Sequence, residues 1–212
     1  MTETILQPGL GESDRRDFLF ITAGAMAATS ALAATWPLIN QMEPSASALA
    51  AAEPVRIDLS SIAPGQQVEI LWRALPIFIV RRTAAVLEEL KSASLLSQLR
   101  DAASAEPQQP AYAANWARAI DPEFLVVVGI CTHLGCIPSF SPDRGSLLPS
   151  MPGGYLCHCH GSKYDMAGRV FKGVPAPFNL AIPPHHFPDA KTLVIGENPA
   201  GANFDLSSVK QI

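Results

Sequence analysis

The sequence predicts a mainly β body preceded by one membrane-spanning helix near its N-terminus. Three observations predict it: a charge-free run from Phe18 to Ile39, a series of short apolar runs bounded by turn residues, and two compact boxes that hold all four cysteines. At 212 residues the chain has room for one ordinary domain plus appended segments. It is 48% hydrophobic and 16% charged, with a mean hydropathy of +0.18, so part of it is expected to sit in lipid. A net charge of -4 and no clustered Lys/Arg stripe exclude a nucleic-acid partner, because that binding draws on counterion release by basic side chains.

Taking the elements in order, Asp14-Arg15-Arg16-Asp17-Phe18-Leu19 sets paired arginines directly before the apolar run. That arrangement resembles the twin-arginine export signal of proteins that fold around a cofactor before crossing a membrane. A helix of roughly 20 residues rising about 1.5 Å each crosses a hydrocarbon core of about 30 Å. Trp36 and Pro37 are expected at the far interface and the helix end, and the arginines keep residues 1–17 in the cytoplasm with the body outside. The rival is a signal peptide cleaved after Ala48-Leu49-Ala50, but an h-region normally runs only about 7–15 residues. Residues 18–39 therefore read as a retained anchor, placing the chain in a cell inner membrane as a single-pass protein with a periplasmic body.

Residues 40–53 are rich in small side chains and read as a flexible tether, coil or marginal helix, ahead of a body at 54–212. Strands are expected at Val68–Trp72, Ile77–Val80, Phe124–Val128 and Leu193–Ile195. Between the second and third of these, Thr83 caps an expected helix through Leu99, with Val86, Leu87, Leu90, Leu96 and Leu99 on or near one face, within a helical insertion of about 84–120. The many prolines after Leu148 indicate rigid loops.

Cys131-Thr132-His133-Leu134-Gly135-Cys136 follows the strongest strand, and Cys157-His158-Cys159-His160-Gly161-Ser162 follows Gly153-Gly154-Tyr155-Leu156. Two loops that each offer a thiolate and an imidazole suit a mixed-ligand metal site. One reading is tetrahedral zinc, although Cys131 and His133 have a single intervening residue where zinc pairs usually have about two to four. Another is two plain disulfides, which leaves both histidines unexplained. The third is a 2Fe–2S centre with two cysteines on one iron and two histidines on the other. Cys-x-His paired with Cys-x-x-His favours this one.

These boxes resemble those of the Rieske subunit of the cytochrome bc1 complex, and the likeness runs from the twin arginines nearly to the end of the chain. The resemblance implies a Rieske-type antiparallel β-sandwich with a small cluster-binding β subdomain at about 125–180. By position it implies that Cys131 and Cys157 bind one iron, His133 and His160 the other, and that Cys136 and Cys159 form a disulfide joining the two loops. It further implies that Ser162 donates a hydrogen bond to a bridging sulfide and Tyr164 one to the Cys131 sulfur. Leu134 and Pro175 are expected to line the cluster, Pro175 within a covering loop Gly173-Val174-Pro175-Ala176-Pro177. His158 stands where many relatives have proline, and Val174 separates a Gly-Pro pair that is contiguous in mitochondrial forms; both bear on loop shape more than on ligation.

The function so implied is that of the electron-transfer subunit of ubiquinol–cytochrome c reductase. His160, with His133 sharing the linked titration, takes a proton from ubiquinol as the cluster takes the electron. Cytochrome b and cytochrome c1 are the expected partners, within a dimeric complex. Alternatives are the Rieske subunit of another periplasmic oxidoreductase of arsenite-oxidase type, a Rieske ferredoxin of a ring-hydroxylating system, or a zinc-stabilised module without redox function. Tyr164, the second cysteine pair, the anchor and the tether favour the quinol-oxidising complex.

Overall fold

A computed structural model describes residues 15–149 and 152–212; Asp14 and the rest of the expected cytoplasmic tail before Arg15 lie outside the described residues. The chain divides into two units, residues 1–46 and 47–212. In the first unit, helix α1 (Arg15–Asn40) is exposed along its length and is long and apolar enough to cross a membrane. Thr22, Thr29 and Thr35 would place hydroxyls in lipid, and each donates back to the carbonyl four residues earlier at 2.7–2.8 Å. Their polar groups are thereby satisfied within the helix. Pro37 does not end α1 as expected. The helix runs on to Asn40, and the Pro37 carbonyl accepts from Gln41 N at 3.0 Å. Within the expected tether a short helix, α2 (Ala46–Ala51), forms.

The body's strands, among the described residues, are β1 (Val55–Asp58), β2 (Gln67–Trp72), β3 (Leu75–Arg81), β4 (Phe124–Val128), β5 (Ser139–Ser141), β6 (Gly154–Cys157), β7 (Ser162–Asp165), β8 (His185–Asp189) and β9 (Thr192–Ile195). They form antiparallel sheets in the orders β1-β9-β8, β2-β3-β4 and β5-β6-β7. The hairpin between β2 and β3 turns on Arg73 and Ala74, both at positive φ, as a two-residue turn matching strand twist requires.

The middle sheet positions everything else. Alternate residues of β3 and β4 point to opposite faces. Ile77, Ile79, Phe124, Val126 and Val128 pack into a core shared with Leu193 and Ile195 of β9. Phe78, Val80, Leu125 and Val127 enter a second core with Tyr155, Tyr164, Cys131 and Cys157. Both faces are covered, which is why these strands read as unbroken apolar runs.

The helix expected from Thr83 to Leu99 is two helices, α3 (Ala84–Glu89) and α4 (Ala93–Gln98). Ser92 is the reason: its hydroxyl accepts from Leu95 N at 3.4 Å, restarting the helix as Thr83 does for Val86 N. A serine at such a break gains a cap that it lacks in a helix interior. Leu90, Leu95 and Leu99 still reach the core. Beyond α4, the segment to residue 120 contains a single 3-10 turn at Ala111–Ala113.

Candidate metal centre

The two cysteine boxes fold into turns of the same form. Gly135 N donates to Cys131 O at 3.0 Å, and Gly161 N donates to Cys157 O at 2.9 Å. Both glycines have positive φ, 83° and 77°, a conformation that side chains with a Cβ resist. The first turn emerges just past β4, and Cys131 N closes it onto Cys136 O at 2.7 Å. The second is the tip of the β6–β7 hairpin, where Cys157 pairs with Ser162.

Cys131 and Cys157 are 1% and 2% exposed and carry no disulfide. Burial pushes the Cys157 thiol up, the neighbouring Cys131 adds to the rise, and the amides of Cys159 and His160 aimed at its sulfur oppose it. A bound cation reverses such an upward push by favouring thiolate. Cys136 and Cys159 form the expected disulfide, with Cα atoms 6.7 Å apart. Their sulfurs lie within 4.8 Å of Cys157 Sγ, but a disulfide has no thiolate to offer, so these three are not a ligand set.

His133 and His160 meet edge to face, ring centroids 4.7 Å apart. His160 is exposed and His133 half-buried. His133 Nδ1 is buried with no hydrogen-bond partner among the described residues. His158, on the same hairpin tip, is exposed.

Tyr164 OH donates to Cys131 Sγ at 3.2 Å and accepts from Thr132 N at 3.1 Å. Burial holds the phenol well above its ordinary pKa, so it stays a neutral donor. Thr132 was not singled out from the sequence, yet it is fully buried, and its hydroxyl donates to Phe178 O at 2.7 Å. Its position between two predicted ligands was the available signal. Ser162 Oγ accepts from Ala176 N at 3.1 Å, leaving its own proton available to a further acceptor. Pro175 is exposed beside the buried Ala176, and Leu134 is 72% exposed at the tip of the first turn.

Two buried unbridged thiols, one already receiving a hydrogen bond, and an imidazole nitrogen buried without a partner are what a mixed cysteine–histidine iron centre requires. The residues present fit that group. The pattern described as the Rieske [2Fe-2S] domain matches residues 104–184, and that of the ubiquinol–cytochrome c reductase Fe-S subunit TAT signal matches residues 8–45. The ubiquinol–cytochrome c reductase iron–sulfur subunit of Allochromatium vinosum is 43% identical over 190 residues, covering 89% of this chain and 91% of that one. The chain belongs to the family of ubiquinol–cytochrome c reductase iron–sulfur subunits.

The same-named subunit of Bradyrhizobium diazoefficiens is 43% identical, covering 86% of this chain and 94% of that one. That of Rhodospirillum rubrum is 41% identical, covering 91% and 97%. A solved chain of a hyperthermophilic respiratory complex III is 27% identical and covers 82% of this chain and 97% of that one; at a TM-score of 0.44 the overlap is too loose to transfer geometry. As a member of this family the chain binds a Rieske-type 2Fe–2S cluster and serves electron transfer in an oxidoreductase of the complex III type, as a membrane-anchored subunit. The zinc-module and arsenite-oxidase alternatives are not favoured.

Proposed function

We propose that the chain carries out this transfer on the face formed by its two boxes, accepting an electron and the linked proton from ubiquinol bound at cytochrome b and passing the electron to cytochrome c1. Cys131 and Cys157 would hold one iron, and His133 and His160 the other. The observation that carries the reading is two buried, unbridged thiols together with a pair of imidazoles 4.7 Å apart, one burying a partnerless Nδ1. When bound, the group supplies a one-electron acceptor that neutral imidazole ligands make easier to reduce than an all-cysteine cluster.

The chain's own residues do the rest. The buried Nδ1 of His133 suits it to face inward, which leaves Nε2 as its outer nitrogen. His160, exposed at the hairpin tip, accepts the quinol hydroxyl's hydrogen bond and holds the transferred proton at its outer nitrogen, with His133 sharing that titration. Tyr164 donates to the Cys131 sulfur, and Ser162, whose hydroxyl proton is left available, would donate to a bridging sulfide; both favour the more negative reduced state. Pro175 and Leu134 flank the site and limit water.

On this reading residues 1–17 stay in the cytoplasm, 18–39 cross the inner membrane, and 54–212 form the periplasmic Rieske domain of a dimeric complex. The tether at 40–53 lets the body move between cytochrome b and cytochrome c1. Its support is a helix of only six residues, too short to be rigid in water by itself. EPR of the dithionite-reduced chain tests the ligand assignment. The expected result is a reduced mixed-ligand 2Fe–2S spectrum that is lost in His160→Ala, and a silent spectrum with bound zinc overturns it. Protease digestion of spheroplasts should cut the body and spare the N-terminal tail.

A further inference from the structure

Residues 204–212 lie far in sequence from both boxes, but they return to the first one. Leu206 is buried, and Phe204, Val209 and Ile212 pack on the core shared by the first and middle sheets. At Lys210 and Gln211 the segment's backbone is then read by the buried Gln108 side chain. Gln108 Oε1 accepts from Lys210 N at 2.9 Å and Gln211 N at 3.3 Å, while Gln108 Nε2 donates to Gln211 O and Asn179 O, each at 2.9 Å. A fully buried amide whose donor and acceptor sides are both in use fixes its partners in one register. Lys210 adds an ion pair to Glu106 at 2.5 Å and lies 5.5 Å from the Phe178 ring centroid.

The outcome of that register is one contact. Gln211 Nε2 donates to His133 O at 3.1 Å. The residue before His133 is held from the other side, since Thr132 bonds to Phe178 O and Tyr164 OH. We propose that Gln211, set in place by Gln108, is a positioning residue that clamps the peptide following His133 and so fixes the orientation of that imidazole and of the exposed Leu134 beside it. The clamp rests on the assignment of His133 as a ligand for its consequence in the cluster, but not for its effect on the loop.

The Gln108 contacts to the tail backbone do not involve the Gln211 side chain, so Gln211→Ala and the isosteric Gln211→Glu, which has no donor at neutral pH, remove the clamp without releasing the segment. Hydrogen exchange by mass spectrometry on the full cluster-loaded chain in detergent reads the Thr132–Cys136 amides. Loss of one hydrogen bond should speed their exchange by about 2- to 12-fold in both variants. Lys210→Ala, which keeps the Gln211 amide, should leave that window unchanged, and the g-values of the reduced cluster should shift only in the Gln211 variants. Exchange in the Gln211 variants equal to that of the unsubstituted chain overturns the proposal, as do unchanged g-values or an acceleration spread equally through β2–β4. Failure of the ligand assignment is seen separately, as absence of the mixed-ligand spectrum in the unsubstituted chain.

Discussion

Replacing Tyr164 with Phe removes one hydroxyl that serves two partners. The hydroxyl donates to Cys131 Sγ at 3.2 Å and accepts from Thr132 N at 3.1 Å, with the ring fully buried in the core beneath the boxes. Phe fills the same volume, so packing is kept and the changes are polar. A donor to a ligand sulfur favours the reduced state, which carries one more negative charge. If its net worth there is that of an ordinary hydrogen bond, about 0.5–1.5 kcal/mol, the one-electron midpoint potential should fall by about 20–65 mV. The Thr132 amide also loses an acceptor in a buried position, and this should lower unfolding stability by about 1–3 kcal/mol. An EPR-monitored redox titration of the anchored chain measures the first effect, and chemical denaturation followed by circular dichroism measures the second. A midpoint that stays put or rises while the protein remains folded refutes the assignment of Tyr164 as a donor to the cluster's sulfur ligand.

Ser162→Ala should also lower the midpoint potential in the same titration, and it leaves Ala176 N without the acceptor it now has at 3.1 Å. Cys136→Ser combined with Cys159→Ser opens a loop with a sequence separation of 23, and chain entropy then predicts a stability loss of about 3.4 kcal/mol in denaturant melts. His185 is buried, with Nδ1 2.9 Å from Pro183 O, and burial pushes its pKa down from 6.5 to about 4. The unfolded chain therefore binds the proton first, and stability should fall as pH drops from about 6.5 to about 4, by roughly 3 kcal/mol in total. Urea melts at pH 7 and pH 4.5 measure this, and His185→Phe should flatten the dependence in that window.

The parts legible in the sequence are those whose physics is local or periodic. β3 and β4 announce themselves because both faces of the middle sheet are buried, so every residue from Ile77 to Val80 and from Phe124 to Val128 is apolar or nearly fully covered. The boxes are legible because the Cys-x-His and Cys-x-x-His spacings each lie within one turn, and the positive-φ glycines at 135 and 161 are visible as letters. The break between α3 and α4 was hidden because Leu90, Leu96 and Leu99 keep a helical pattern through it, while a serine cap at 92 outweighs the pattern. Gln108 and Gln211 were hidden for a different reason: a pairing across 103 positions leaves no local trace.

The least legible feature is also the one that holds the site's base together. Arg82, Arg118 and Arg169 carry no local pattern that marks them as interior, yet each is almost completely buried. The segments around them, residues 99–123 and 166–184, have little regular structure, so their inward carbonyls lack ladder partners. The guanidinium groups supply the donors. Arg82 bonds to Ala117 O and Met166 O, Arg118 to Ala167 O and Leu180 O, and Arg169 to Leu90 O, at 2.7–3.1 Å. Desolvation lowers Arg82 to about 10 and Arg118 to about 9, so both remain charged at neutral pH. Asp165 compensates through a 2.7 Å pair with Arg169 Nε, accepting also from the amides of Ala167 and Arg169. Asp165 is the residue after Tyr164 on β7, so the strand that carries the donor to Cys131 is anchored at its end by this network. An irregular chain is thus held in place without a sheet, by guanidinium groups whose charge Asp165 offsets at the end of the strand that carries Tyr164.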